Sequence, residues 1–239
     1  MLRTFCTLIA LACVDAAKVL TQTPPVHTVS PGDEVLLKCN VQRDEGYYVS
    51  WYKQVPGSTP QYILKFYHSH SSPSFGTGFS SDRFNSKASS NIDYQLIIKQ
   101  AEAGDSAVYY CSTWDSSAND VVFGQGTKLI VTSSSLPPPV LTVFPPSSAE
   151  LQSDTASLVC LSSQSVPFAD VSWLAGGSPV SSGISTSTAV QRPDQTYQIS
   201  SSLTIQTSDW NMDKVYTCKV SLGSQTSEKT ISKSTCSTD

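Results

Sequence analysis

The chain has 239 residues, of which 39% are apolar and 14% charged, and its formal net charge is -4. That length exceeds one small sandwich and suits two domains of about 100 residues each. The acidic balance gives no support for a nucleic-acid binder, which would carry a basic patch, and the sequence holds no charge block for a membrane surface.

Residues 1–17 read as a secretory leader. Arg3 supplies the positive end, Phe5 to Val14 a mostly apolar core, and Val14-Asp15-Ala16 or Asp15-Ala16-Ala17 a small-residue cleavage site. No other segment approaches the roughly 20 apolar residues that span a bilayer. A secreted, extracellular protein without direct membrane insertion is therefore expected.

The first unit is expected over 18–132. Val35, Leu37 and Cys39 alternate with Leu36 and Lys38, which predicts a strand with one face buried. Val49 and Trp51 follow, then a turn at Pro56-Gly57-Ser58, then a strand from Gln61 to Phe66. Tyr94, Leu96 and Ile98 alternate again, and Ala101 to Asp105 connects to D-S-A-V-Y-Y-C, ending at Cys111. Between Cys111 and Phe123 the polar, small and aromatic residues show no periodicity, which predicts a loop held by a frame. Gly124-Gln125-Gly126 is not a phosphate cradle, because no helix pattern follows it; a glycine-permitted bulge is the better account.

Ser133 to Pro139 is a linker by composition, with serines for freedom and prolines for stiffness. A second unit over 140–236 repeats the plan of the first: Ala156, Leu158 and Cys160 alternate, Val171 and Trp173 follow, then Tyr197, Ile199, Leu203 and Ile205, then Tyr216 and Cys218. A short tail, 237–239, closes the chain.

Of seven cysteines, Cys6 and Cys13 belong to the leader. Cys39, Cys111, Cys160, Cys218 and Cys236 remain, an odd set in an oxidising compartment. Trp51 follows Cys39 by 12 residues and Trp173 follows Cys160 by 13, and a tyrosine stands two before Cys111 and before Cys218. The first unit has a longer span between its cysteines, with room for two more strands.

With W-Y-K-Q-V-P-G at Trp51 to Gly57, D-R-F at Asp82 to Phe84, F-G-Q-G-T-K-L at Phe123 to Leu129, P-P-S-S-A-E-L at Pro145 to Leu151 and W-N-M-D-K-V-Y-T-C at Trp210 to Cys218, the chain resembles an immunoglobulin light chain over its whole mature length. The resemblance implies an all-β chain of two immunoglobulin-fold Greek-key sandwiches in tandem, V-type then C1-type. It implies bridges Cys39–Cys111 and Cys160–Cys218, each packed on its tryptophan. Two departures stand out: Ser165-Val166-Pro167 replaces the family's F-Y-P, and Lys65 to Arg83 is longer than in common mammalian light chains.

The resemblance further implies a binding end made of three loops. Its expected antigen contacts are Arg43, Asp44, Tyr47 and Tyr48 in the first loop, Tyr67, His68 and His70 in the long second one, and Trp114, Asp115, Ser116 and Asn119 in the third. For parts of the second loop, Phe66 to Phe79, the alternative is plain framework. Tyr52, Gln54, Pro60, Tyr62, Tyr110 and Phe123 are expected to meet a heavy-chain variable domain, and Phe144, Val159 and Leu161 its first constant domain. Cys236 is the leftover thiol, expected to bridge to the heavy chain, with a light-chain dimer as the alternative. Arg83 and Asp105 hold the family's framework ion-pair positions.

His68 and His70, two apart, lack the third ligand a metal site needs, and no serine or histidine sits in a catalytic motif. No metal, cofactor or catalysis is expected. A second reading is an ectodomain-like subunit of an antigen receptor or adhesion protein.

Overall fold

The computed structural model describes residues 17–132, 137–194, 196–223 and 225–236. The expected leader, apart from Ala17, residues 133–136 of the expected linker and the tail 237–239 lie outside the described residues. Among the described residues no helix is long and apolar enough to cross a membrane.

The first sandwich is built from β1 (Leu20–Thr23), β2 (Val26–Val29), β3 (Val35–Val41), β4 (Val49–Gln54), β5 (Gln61–Phe66), β6 (Ser74–Phe75), β7 (Phe84–Ala88), β8 (Asp93–Ile98), β9 (Ala107–Asp115), β10 (Asp120–Phe123) and β11 (Thr127–Val131). One sheet runs β1-β3-β8-β7. The other runs β2-β11-β9-β4-β5-β6, with β10 added to β9. Pro24 and Pro25 offer no N–H, so the β1–β3 ladder stops at Thr23, and β2 pairs in parallel with β11 on the other sheet. The pairing β5–β6 fills the room left by the longer spacing of the first unit.

Side-chain alternation explains why these runs are strands. In β3, Val35, Leu37, Cys39 and Val41 are buried while Leu36, Lys38 and Asn40 face out. With Leu96 and Ile98 of the neighbouring β8 they meet Trp51, Tyr109 and Leu129 of the facing sheet in one core. The Cys39–Cys111 bridge crosses it, as expected, beside Trp51, which lies directly opposite Cys111 in the ladder.

The second sandwich uses β12 (Val140–Phe144), β13 (Thr155–Gln164), β14 (Asp170–Ala175), β15 (Ser178–Pro179), β16 (Ile184–Thr186), β17 (Val190–Gln191), β18 (Tyr197–Gln206), the one-turn helix α1 (Thr207–Asn211), β19 (Tyr216–Leu222) and β20 (Gln225–Ile231). Its sheets run β12-β13-β18-β16, with β17 on β18, and β15-β14-β19-β20. Cys160–Cys218 joins them, and Trp173 lies opposite Cys218 and donates its indole N–H to Ser201 at 3.0 Å. Val166, in the run that departs from the family's F-Y-P, is fully buried. On the chain-entropy account each bridge stabilises its domain by about 4 kcal/mol. The tandem all-β architecture agrees with the fold class expected.

The sandwiches touch. Lys128 Nζ stands 4.4 Å from the Phe168 ring, and Val55, before the β4–β5 turn, packs on Ala189, Tyr197 and Ile199.

Candidate binding and pairing faces

The stretch after Cys111, expected as an aperiodic loop held by a frame, is itself mostly strand. β9 continues to Asp115 and turns back through Ser116–Asn119 into β10, with Trp114 opposite Val121 and Thr113 opposite Val122. Asn119 closes the turn at φ 52, a left-handed conformation that asparagine tolerates better than most residues. The strand hid from a period-2 reading because Ser112, Thr113 and Asp115 are all buried, so no polar-out alternation survives. Their polar groups are satisfied over long range: Thr113 Oγ1 donates to Tyr48 O at 2.9 Å.

Asp115 needs a correction. It was expected to face a ligand, but its side chain is 0% exposed. Its Oδ2 accepts the backbone N–H of Lys18 at 2.6 Å. Its Oδ1 accepts Arg43 Nη2 at 2.9 Å and the Ser117 N–H and hydroxyl at 3.0 and 2.7 Å. The Lys18 N–H above all, then the Ser117 donors and the Arg43 charge, hold its pKa well below the usual carboxylate range. Glu45, absent from the expected contacts, ties the same cluster. It accepts Ser116 N–H at 3.0 Å and pairs with Lys18 Nζ at 2.9 Å and Arg43 Nε at 2.7 Å. Led by the Ser116 N–H, these donors push its pKa down to about 2.

Around that cluster the expected loop residues gather at one end of the sandwich. Tyr47 and Tyr48 are each 40% exposed; Tyr47 packs edge-on to Trp114 at 6.5 Å, and Tyr48 lies 6.0 Å from Tyr67 and 5.3 Å from His70. His68 Nε2 approaches Asp44 Oδ2 at 3.3 Å, linking second loop to first. Ser116 and Asn119 are exposed at the hairpin tip. The second loop is partly framework: Ser74–Phe75 pairs with β5, and Phe79 stacks edge-on with Phe84 at 5.1 Å. Sequence reasoning missed Lys65, whose Nζ lies 4.8 Å over Tyr48, and Lys18, adjoining the expected leader. Among the described residues no group of three His, Cys, Asp or Glu side chains could hold a metal.

A second face lies on the β9-β4-β5 sheet. Tyr52 stacks with Tyr62 at 5.6 Å and Phe123 at 5.7 Å, and Tyr52, Gln54, Pro60, Tyr110, Phe123 and Gly124 line an apolar hollow of about 290 Å³. Phe123 is 56% exposed. Gln54 donates to Ser58 O at 3.1 Å. On the second sandwich, Phe144 and Val159 are opposite each other and Leu161 follows on the same outward face. Large apolar patches of this kind mark contact surfaces.

At the other end of β9, Arg83 pairs with Asp105 and, at 2.8 Å, with Glu102, while Tyr109 Oη donates to Asp105 O at 2.8 Å. Among the described residues Cys236 has no disulfide partner; it is half-buried against the second core, and that burial raises its thiol pKa. Its turn is held by Asp213, which accepts the Ser234 N–H and hydroxyl at 2.7 Å each.

Comparison with known families matches residues 22–132 to the immunoglobulin V-set domain and 141–224 to the immunoglobulin C1-set domain. The chain is 30% identical over 191 residues, 76% of its length, to a viral T-cell receptor beta chain-like protein of feline leukemia virus, and spans 58% of that relative. It is 33% identical over 112 residues, 47% of its length, to an Ig kappa chain V region of Oryctolagus cuniculus, covering 95% of that relative.

Proposed function

Because the chain belongs to the immunoglobulin family, with a V-set domain followed by a C1-set domain, we propose that it is a secreted antibody light chain, non-catalytic, which pairs with a heavy chain and contributes half of an antigen-binding site. Chains of this domain order generally pair with a second immunoglobulin-type chain and act outside the cell or at its surface. The observation that carries the finer reading is the pairing of two distinct surfaces on one domain. An aromatic-rich loop end sits beside an exposed aromatic sheet face centred on Tyr52 and Phe123. Tyrosine and tryptophan give large contact area at little entropic cost, and the hollow at Phe123 invites a partner's side chain.

In this reading residues 1–17 are removed, 18–132 bind and pair, 140–236 pair through Phe144, Val159 and Leu161, and Cys236 supplies the covalent link. A subunit of a cell-surface antigen receptor is the second reading. The observation in its favour is the likeness, over both domains, to a relative described as T-cell receptor beta chain-like.

Co-expression with a heavy chain, followed by non-reducing electrophoresis, separates the two. A disulfide-linked band of both chains that is lost in Cys236→Ser supports the light chain. Its absence, with capture of a receptor-type partner instead, supports the second.

A further inference from the structure

Lys18 lies outside every loop of the binding end, yet it is 4% exposed and holds two of them. Its backbone N–H reaches Asp115 and its Nζ reaches both Trp114 O, at 2.8 Å, and Glu45. Arg43 closes the ring by spanning Glu45 and Asp115 and donating to Ser117 Oγ at 3.0 Å. The Lys18 and Arg43 side chains and two carboxylates thus bind three stretches of chain distant in sequence: the start of the first domain, the first loop and the third. With residues 1–17 removed, the Lys18 nitrogen on Asp115 is the α-amino group, which adds positive charge to the same ring. A lysine removed from water is tolerated only where its charge is matched and its donors are used. Here the matching groups belong to different loops, so opening either loop strands the ammonium.

We infer that Lys18 is a positioning residue which makes the first and third loops one preformed unit, so that they open together and a ligand meets a surface already organised. Calling that surface a ligand site rests on the functional reading above; the coupling does not. Preformed surfaces lose less ordering entropy on binding. The ring also explains how a hairpin with exposed Ser116 and Asn119 at its tip keeps its shape: Ser116 and Ser117 are tied down by backbone bonds to Glu45 and Asp115.

The test is amide hydrogen exchange on the full chain, free of ligand, comparing wild type with Lys18→Met, which keeps the apolar stem. Exchange at Ser116 and Ser117 and at Gly46 is expected to rise together, by about tenfold, while β3 and β8 amides stay unchanged. A merely structural loss would raise core exchange as well. Glu45→Gln, changed nearer the surface, is expected to give the same paired effect and serves if Lys18→Met does not fold. A rise in one loop without the other, or in neither, overturns the coupling. Coupled exchange in a chain that joins no heavy chain overturns the functional reading and leaves the coupling standing.

Discussion

The Tyr109 hydroxyl ties the end of one connection to the start of β9, the strand that continues into the β9–β10 hairpin. It is fully buried, burial raises its pKa well above the ordinary tyrosine value, and it donates to Asp105 O at 2.8 Å. Removing it leaves a buried carbonyl short of a donor, so Tyr109→Phe is expected to lose about 1–2 kcal/mol. Urea unfolding checks this: the midpoint falls while the slope stays constant, and an unmoved midpoint refutes it. Glu45 is a residue whose effect depends on pH. Its folded pKa lies at about 2 against an ordinary 4.5, so its stabilisation is complete above 4.5 and is lost as pH falls towards 2. As pH falls to about 2, where folded Glu45 takes up its proton, Trp114, whose carbonyl shares Lys18 with Glu45, is expected to change its fluorescence. In Glu45→Gln that step disappears; a step that persists assigns it to another group. Asp115 marks the limit of reading residues singly. As an aspartate in a polar stretch it looks like a ligand contact, and its burial is decided by Lys18 and Arg43, 97 and 72 residues away.

At the scale of elements, legibility followed exposure. β3, β8 and the start of β9 could be read because one face meets the core and the other meets water, so polarity alternates with geometry. The β9–β10 hairpin could not, because tertiary partners cover both faces of its base. β6 escaped because it is two residues long within a glycine- and serine-rich run. Gly124–Gly126 breaks the strand between β10 and β11. Gly126 has φ +88, and a Cβ there would stand 2.7 Å from the Tyr110 ring and 2.9 Å from Val108 Cγ1. Gly126→Ala is therefore expected to lose about 1–3 kcal/mol through backbone strain alone, with further loss from displacing Tyr110. Thermal unfolding reads the first effect, about 4–8 °C per kcal/mol for a domain of this size. Weakened partner association reads the second, since Tyr110 lines the apolar hollow. An unchanged melting temperature shows that the turn relaxes freely.

For the whole molecule, the loop end, the aromatic sheet face and the end that meets the second domain lie on different parts of one sandwich. The loop end is keyed by Lys18, the sheet face is carried by β9, β4 and β5, and the far end rests on the second domain through Val55 and Lys128. β9 contributes to two of these surfaces, since Trp114 and Tyr110 belong to one strand. Phe123 is the residue whose change most cleanly separates pairing from folding. It is 56% exposed and stacks on Tyr52 across the hollow, so Phe123→Asp deprives the free chain of little buried area. In a paired state the same substitution places a carboxylate in an apolar contact, where loss of a central aromatic anchor costs about 2 kcal/mol or more, roughly 30-fold in affinity. Measured in a Cys236→Ser background, so that the proposed covalent link cannot mask the equilibrium, association with the proposed heavy-chain partner is expected to weaken at least that far. The melting temperature of the unpaired chain is expected to stay put. Unchanged association would move the pairing surface away from this sheet.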